Sequence, residues 1–585
     1  MEKTGGGQGA ALFAFGSNGN GQLGIASDDD TSTPQHVHFT TTTNLGAVSS
    51  NLPPSPHHND KESRHQPHVN ATAPFHDFAA GGNHTALITH GSRRLYMTGS
   101  NKDGETLLQE QSQVFKLLNG IPDGVQQQQE KLNKNQEQGQ DGSGSPIDKD
   151  ADKDKADTNS TGIRWRSVAC GWAFTIGLTE PYLTPDSHDA IASSTRKGNN
   201  QAIYAWGSGS FGELGLGPGR SKTGGQAIAI TTGLLDSSNT TVRDNSRFEI
   251  IKVRAGLRHV LLLAKEIRNV GDQNGDGGAT KTRMVLMGWG SNRQGQLGVL
   301  TRLGLPLTEK ELRGKFMEPT RIVISPGPLK NTTGAEETHD DGGNEPNIVD
   351  MACGQNHSLV LFSNGTVHSS GLDKYGQLGP RTAAVTTEEK ETAEKGKKVD
   401  FRIGFAPVVG LPFVDSISCG WNHNAAMDTR PFVDPTAMTT IYLWGRNDHG
   451  QLGGGVPLRT LDVNLTGALG GAFEGIVQVQ IPTRRKANSG DDEGRSECKE
   501  ESEKEYEPLV SYSCGSEHTL AMTQSGACYA WGWNEHGNCG GGIDSTGNKD
   551  LQDVPSPRLV QFPTPSNSPG QGWVMGGYGS SWVWT

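Results

Sequence analysis

The sequence predicts an all-β fold: a single seven-bladed β-propeller that is closed by pairing of its two termini. Three observations predict it. Two short motifs alternate along the chain, each motif occurs seven times, and an incomplete repeat stands at either end. A propeller requires many tight turns, and 80 of the 585 residues are glycine, roughly twice the ordinary usage.

The first motif reads apolar-x-apolar-Gly-Ser-Asn-x-x-Gly-Gln-Leu-Gly. An apolar run of strand length that is bounded by glycines is typical of a β-strand followed by a tight turn. A degraded copy surrounds Gly99 and Gly104. The six clearer copies end at Gly24, Gly215, Gly298, Gly379, Gly453 and Gly540.

The second motif reads apolar-x-Cys/Ala-Gly-x-x-His and is followed by another apolar run. Its histidines are His84, His259, His357, His423 and His518. Phe174 and Ser580 replace histidine in the other two copies. Because equivalent positions in different blades lie far apart, we expect these histidines to make structural hydrogen bonds rather than to share a metal ion.

The two ends of the chain carry complementary halves of one repeat. The chain opens with the first motif at residues 12–24 and ends with the second motif at residues 573–585. One blade completed from both termini would leave no exposed sheet edge. We therefore expect one propeller domain over residues 12–585, preceded by a disordered N-terminus at 1–11.

Polar, low-complexity segments interrupt the repeats and are predicted to be disordered insertions. Removing them leaves about 300 residues, or about 43 per repeat, which suits a four-stranded blade. Residues 487–507 are strongly acidic, so a docking tail for a basic partner stays open as an alternative there. The insertions lie near 40–73, 108–160, 218–246, 300–346, 380–404, 487–506 and 543–569.

Composition and motifs limit the classes of function. The net charge of −12 argues against nucleic acid or a membrane as the main partner. Seven cysteines without a CxxC pair, and no signal peptide, favour the cytoplasm, with the nucleus open as a second location. The sequence has no nucleophile, phosphate-loop or metal motif, and the calcium-like Asp272–Gly277 stretch has Arg283 in place of the final glutamate. We expect no enzyme activity, cofactor or metal.

The last copy of the first motif departs from the others and is the candidate partner site. Asn538 and Cys539 replace Gln-Leu, although every glycine is kept. Exchanging a core leucine for a smaller residue usually costs about 1–4 kcal/mol, so we expect a compensating role. Trp533 could be a buried anchor, with Glu535, His536 and Asn538 as polar contacts. Ordinary drift of the repeat is the alternative.

The repeats resemble those of the regulator of chromosome condensation superfamily along the whole folded part. Three stretches are similar to one branch, the fungal alpha-tubulin suppressor proteins of the killer-toxin-insensitivity group. They are the opening Phe13–Gly19 with the later Thr33-Pro-Gln35, the histidine-free Cys170-Gly-Trp172 repeat, and the closing Trp531–Gly540 with Gly576 and Trp582. The long insertions depart from that branch, so only the core is comparable.

The resemblance implies a partner protein. Members of that branch bind a small iron- or zinc-binding protein of the diphthamide pathway, and the pair supports Elongator-dependent modification of wobble uridine in tRNA and diphthamide synthesis. The superfamily's founding member, an exchange factor for the small GTPase Ran, gives the alternative function. A chromatin-bound exchanger should carry a basic tail, whereas residues 1–11 hold one lysine. A third interpretation, an ultraviolet receptor using Trp172 and Trp421, is disfavoured because core packing would explain both residues.

Overall fold

A computed structural model describes fourteen stretches of the chain, and these contain both halves of nearly every repeat. The described residues are 11–40, 75–118, 163–181, 201–231, 246–270, 279–302, 305–324, 346–380, 400–429, 439–454, 472–481, 506–541, 551–563 and 572–585. Within them the strands form seven antiparallel sheets, which are the blades of a propeller. The predicted all-β, seven-bladed fold is confirmed.

Each blade has four principal strands, and the first strands of neighbouring blades contact one another around the axis. Blades are numbered here from the one that holds both termini. From the axis outward, blade 1 consists of β29 (Trp573–Gly576), β30 (Ser580–Trp584), β1 (Leu12–Gly16) and β2 (Thr31–His36). Blade 2 consists of β3 (Phe75–Ala80), β4 (His84–Thr89), β5 (Leu95–Gly99) and β6 (Ser112–Leu117). Blade 3 consists of β7 (Trp165–Cys170), β8 (Phe174–Thr179), β9 (Ile203–Gly207) and β10 (Ile228–Ala229).

Blade 4 carries two further outer strands and a single-turn helix. It consists of β11 (Ser246–Ala255), β12 (His259–Val270), β13 (Ala279–Ser291) and β16 (Lys315–Val323), with β14 (Val299–Arg302), β15 (Leu305–Pro306) and α1 (Glu309–Leu312) in addition.

The remaining blades keep the simple four-stranded pattern. Blade 5 consists of β17 (Ile348–Cys353), β18 (His357–Phe362), β19 (Val367–Leu372) and β20 (Phe401–Pro407). Blade 6 consists of β21 (Ser416–Cys419), β22 (His423–Met427), β23 (Ile441–Arg446) and β24 (Ala472–Val479). Blade 7 consists of β25 (Leu509–Cys514), β26 (His518–Thr523), β27 (Cys528–Gly532) and β28 (Val554–Leu559).

The two termini close the ring inside blade 1. Strand β30 pairs with β29 on one side and with β1 on the other, from Leu12 opposite Trp584 to Gly16 opposite Ser580. The backbones of Ala11 and Thr585 exchange two further hydrogen bonds of 3.0 and 3.1 Å. Closure by the termini, as the complementary half-repeats predict, is confirmed.

Buried tryptophans of the third strands tie neighbouring blades together. The indole N–H of Trp206 in blade 3 donates to the carbonyl oxygen of Glu105 in blade 2 at 2.9 Å. The indole N–H of Trp531 in blade 7 likewise donates to the carbonyl oxygen of Gln451 in blade 6, at 3.0 Å. Both residues that accept the bond occupy the glutamine position of the first motif. That position therefore presents a backbone acceptor to the next blade.

The repeated histidines form a second link between blades. Each ring is fully buried, and its Nε2 hydrogen-bonds a hydroxyl or amide group on the second strand of the following blade. In three links that hydroxyl also donates to the carbonyl of the glutamine position, as Thr519 does to Gln451 at 2.9 Å. The predicted structural hydrogen bonds are confirmed. The pairs are His84–Thr175 at 2.8 Å, His259–Ser358 at 2.9 Å, His357–Asn424 at 2.7 Å, His423–Thr519 at 3.1 Å and His518–Ser581 at 2.9 Å.

Several predicted insertions were drawn too wide, because they include outer strands of the blades. Strand β6 lies within 108–160, β10 within 218–246, β16 within 300–346, β20 begins within 380–404, and β28 lies within 543–569. An outer strand packs against a blade on one side only, so polar residues are tolerated there and the sequence pattern is weak. The parts of the insertions that lie outside the described residues are 41–73, 119–160, 232–245, 303–304, 325–345, 381–399, 487–505, 543–550 and 564–569, and so are residues 1–10.

Candidate protein-binding face

One end of the ring gathers the loops of both motifs, and we call it the loop face. Antiparallel pairing puts the turn between the first and second strands at the same end as the loop between the third and fourth strands. In blade 1, the Ser17 N–H donates to the Gly579 oxygen across these two loops at 2.8 Å. Gly16 has a φ of +107°, and a Cβ there would lie 2.5 Å from the same oxygen. Glycine at this position therefore lets the two loops meet.

Three aromatic side chains, which we call the aromatic plate, cover the centre of the loop face. The rings of Trp172 and Trp421 lie 6.2 and 5.5 Å from the ring of Tyr578. Trp172 is 46% exposed, and Trp421 is half-buried. The expectation that Trp172 packs in the core is wrong. The residue after Cys-Gly lies in the turn beyond the end of the sheet, where no second layer can cover it.

The axial channel beneath the plate has a volume of about 330 Å³ and contains paired charges. The Arg254 guanidinium lies 3.2 Å from the Asp77 carboxylate, and Lys252 donates to Asp350 at 2.6 Å. Burial opposes ionisation of Asp77, but Arg254, the Val168 N–H and a hydroxyl more than offset it and hold its pKa below the usual range. These charges are satisfied within the channel, so they position the inner strands.

The predicted partner loop of blade 7 lies on the loop face, but its members differ in access. Trp533 and His536 are half-buried, with ring centres 5.2 Å apart, and Glu535 is exposed. Asn538 and Cys539 are completely buried, so their side chains do not reach this surface. Only the first three residues are placed to touch a partner.

The interior contacts of this loop account for the change from Gln-Leu. Cys539 occupies the buried site of the motif leucine, and its N–H donates to the Asn534 side chain at 2.8 Å. The Asn538 side-chain amide donates to the Trp533 carbonyl, which fixes the turn that carries the indole. His536 also bonds Asp30 in blade 1 at 2.6 Å. The unusual residues thus serve packing and loop shape within the blade.

A charged cluster beside Trp533 was not predicted from the sequence. His449 lies 2.8 Å from Asp553 and 3.2 Å from Glu517, and its ring centre is 6.4 Å from that of Trp533. Burial alone would lower the pKa of His449, but the bonds to Asp553 and Glu517 outweigh it and raise the pKa to about 9. No sequence signal could have joined these residues, because they come from three separate loops of blades 6 and 7.

Two features are absent from the described stretches. No group of three or more histidine, cysteine or carboxylate side chains there could hold a metal ion. Among the same residues, no helix combines the length and apolar character needed to cross a membrane. The surface feature that remains is the loop face, with an exposed aromatic centre and charged clusters around it.

Comparisons with known proteins agree on the repeat. The family described as "Regulator of chromosome condensation (RCC1) repeat" matches residues 10–50, 348–377 and 510–538. The mouse secretion-regulating guanine nucleotide exchange factor is 26% identical over 96% of this chain and 80% of its own length. The Arabidopsis thaliana ultraviolet-B receptor UVR8 is 25% identical over 71% of this chain and 64% of its own length.

Among solved structures, Prp20p from Saccharomyces cerevisiae matches with a TM-score of 0.54 at 16% identity. The match covers 99% of this chain and 92% of that one. At such low identity the likeness concerns the fold alone. It supports the overall fold independently of the repeat motifs.

Proposed function

We propose that this chain, a seven-bladed propeller of regulator of chromosome condensation repeats, is a protein-binding scaffold that regulates nucleotide exchange on a small GTPase. The relatives support this choice, since proteins named as secretion-regulating exchange factors in mouse and cattle align over 96% and 92% of the chain. This function replaces the diphthamide-pathway role as the first candidate, because the names of these aligned relatives support nucleotide exchange.

The aromatic plate is the observation that carries the proposal. Only three large apolar side chains are exposed in the described part of the chain: Trp172, Val323 and Leu551. Trp172 stands at the centre of the loop face against Tyr578, which also contacts Trp421, whereas Val323 ends the fourth strand of blade 4. A central aromatic residue surrounded by polar groups is typical of a binding hot spot.

Exchange by this route requires binding but no covalent chemistry. Burial raises the pKa of the motif cysteines Cys170, Cys353 and Cys514 to about 12, so these thiols are protonated at neutral pH. They are therefore poor nucleophiles. We propose that the chain acts in the cytoplasm by holding its partner GTPase in a conformation that releases nucleotide, and that it needs neither cofactor nor metal.

The test is release of fluorescent GDP from purified small GTPases, beginning with Ran, in the presence of the chain. We expect faster release for one member of the panel. Trp172→Ala should weaken that response by about 2 kcal/mol, or roughly thirtyfold in affinity, if Trp172 is a hot spot. The matched control is Val323→Ala, which removes an equally exposed apolar side chain (46%) at the far end of its strand from the loop face.

Two results would contradict the proposal. One is unchanged GDP release across the panel at saturating concentrations of folded protein. The other is acceleration that Trp172→Ala and Val323→Ala affect equally, because the plate would then not be the contact.

A second candidate function is a heterodimer with the small iron- or zinc-binding protein of the diphthamide pathway, supporting Elongator indirectly. The Trp533 loop favours it. Its indole is half-buried beside His536 and the charged His449 cluster, and Glu535 is exposed. An amphipathic aromatic side chain with polar neighbours suits a protein contact.

This second candidate is tested by titration calorimetry with the purified metal protein. The double change Trp533→Ala and His536→Ala should weaken the complex by at least about 2 kcal/mol if both are hot spots. Leu372→Ala with Tyr375→Ala, at the equivalent loop positions of blade 5, is the matched control. If the wild-type proteins show no heat of binding, this partner is excluded. If the two double variants bind with equal affinity, the Trp533 loop is not part of the interface.

A further inference from the structure

Three cations gather around a single aromatic ring on the loop face, at the junction of blades 3 and 4. The guanidinium carbons of Arg258 and Arg293 lie 4.3 and 5.3 Å from the centre of the Phe211 ring, and the Lys315 nitrogen lies 4.8 Å from it. The three cations come from three separate segments of blade 4. Folding alone brings them together, so we call this the Phe211 cluster.

The cluster is exposed and short of counter-charge. Arg258, Arg293 and Lys315 are all exposed, and within the described stretches none of them forms an ion pair. Lys315 instead donates to the Ser210 carbonyl at 2.9 Å. The carboxylate that interacts electrostatically with Arg258 and Lys315 is Glu213. It is buried, and its oxygen accepts the Phe211 N–H at 2.6 Å. One inward-facing carboxylate leaves an excess of positive charge on the surface.

A neighbouring arginine of blade 4, Arg313, also lies over an aromatic ring but has a carboxylate partner. The Arg313 guanidinium lies 4.5 Å from the Phe401 ring, and it also pairs with Glu309 at 2.6 Å. Both sites use an aromatic ring to hold the cation in place. Only the Phe211 cluster lacks the carboxylate.

We propose that the Phe211 cluster binds a carboxylate-rich segment of the protein partner. Arginine and lysine fixed on a ring are pre-arranged to donate to carboxylate oxygens, so little side-chain entropy is lost on binding. This proposal rests on the protein-binding function given above. It adds that the partner carries acidic side chains where it contacts the loop face beside the aromatic plate.

The same face disfavours a polyanion that extends beyond the cluster. The chain has a net charge of −12, and on blades 6 and 7 the three carboxylates Asp448, Glu517 and Asp553 outnumber the two cations that pair with them, Arg446 and His449. A nucleic acid carries charge along its whole length and would be repelled outside the cluster. A short acidic peptide segment places its charge only where the cations are.

The test uses fluorescein-labelled octapeptides and the full-length chain, with binding followed by fluorescence anisotropy. The probe alternates Glu and Gly, the neutral control alternates Gln and Gly, and an octamer of thymidylate represents nucleic acid. We expect the glutamate peptide to bind, the glutamine peptide not to bind, and Arg258→Gln with Arg293→Gln to weaken binding about tenfold or more. Lys265→Gln with Lys281→Gln, two charges on the β12–β13 hairpin, should leave it unchanged.

Three outcomes would overturn the inference: equal binding by the two double variants, equal binding of the glutamate and glutamine peptides, or tighter binding of the oligonucleotide than of the glutamate peptide. Circular dichroism confirms that both variants are folded before binding is compared. The assay contains no GTPase, so its failure is distinguishable from failure of nucleotide exchange. Conversely, exchange could fail for every GTPase tested while the peptide still binds.

Discussion

Deleting residues 573–585 is expected to open the propeller and to abolish cooperative folding at ambient temperature. The segment supplies β29 and β30, the two inner strands of blade 1, so its loss leaves β1 and β2 without a sheet to join. Trp582 and Val583 are fully buried, and Trp584 nearly so. Truncating one buried aromatic residue typically costs about 3–5 kcal/mol, and a whole domain is stable by only about 5–15 kcal/mol.

The deletion also removes links between blades 7 and 1. The Nε2 of His518 bonds the Ser581 hydroxyl at 2.9 Å, and that hydroxyl donates to the Asn538 carbonyl at 2.7 Å. Without Ser581, both buried partners are left unsatisfied, which adds a further desolvation cost of about 1–3 kcal/mol for each group. The damage would therefore spread into blade 7.

Thermal melting followed by circular dichroism measures this effect. A matched control deletes residues 2–10, which precede the closing strands; it should melt close to the intact chain. The control separates loss of closure from the general effect of shortening a terminus. A 573–585 deletion that melts within a few degrees of the intact chain would show that the ring does not depend on closure through its termini.

The blades could be predicted from the sequence because the backbone conformation or burial of each motif position allows few residue types. Gly16 must take a positive φ where two loops meet, and His518 must fit a buried site between blades, so both positions recur in the repeat. Strand direction and closure then follow from chain order. The bonding partner of each histidine could not be predicted, because it is a Thr, Ser or Asn that lies 63 or more residues away.

The surface features were less predictable for a physical reason. Trp172 and Trp421 each follow a Cys-Gly pair of the second motif, and their apolar character alone predicts burial. Trp172 nevertheless extends from a turn and is exposed. The Phe211 cluster unites three cations from separate segments, and no short motif contains it. Such sites depend on where loops meet after folding, and a repeat pattern does not encode that placement.

Mild acid is expected to unfold the chain, because its stability falls steadily as the pH drops below about 6.5. Burial lowers the pKa of His84 and His357 to about 4 and that of His259, His423 and His518 to about 3, and neighbouring histidines add to the effect at His259 and His423. In the unfolded chain each ring titrates near its usual pKa of about 6.5. Below that pH the unfolded state binds more protons, so stability falls as pH falls.

The expected magnitude follows from proton linkage. A shift of one pKa unit corresponds to about 1.4 kcal/mol, so at pH 5 each of these histidines costs about 2 kcal/mol of stability, or about 10 kcal/mol together. That sum is comparable with the whole stability of a typical domain. His449 does not offset it, because a pKa raised to about 9 leaves that ring protonated in both states below pH 6.5.

Urea titrations between pH 7.5 and pH 5 measure the free energy of unfolding and its slope against pH. Between pH 6 and pH 5 the contribution of these five histidines to the slope should approach five protons, or about 7 kcal/mol per pH unit. His357→Gln can keep a hydrogen bond to Asn424 but cannot titrate, so its slope should fall by one proton even if the variant is less stable throughout. His449→Gln is the matched control, and it should leave the slope in this window unchanged. A free energy of unfolding that is constant from pH 7 to pH 5, or equal slopes for His357→Gln and the wild type, would show that the buried histidines do not control stability in acid.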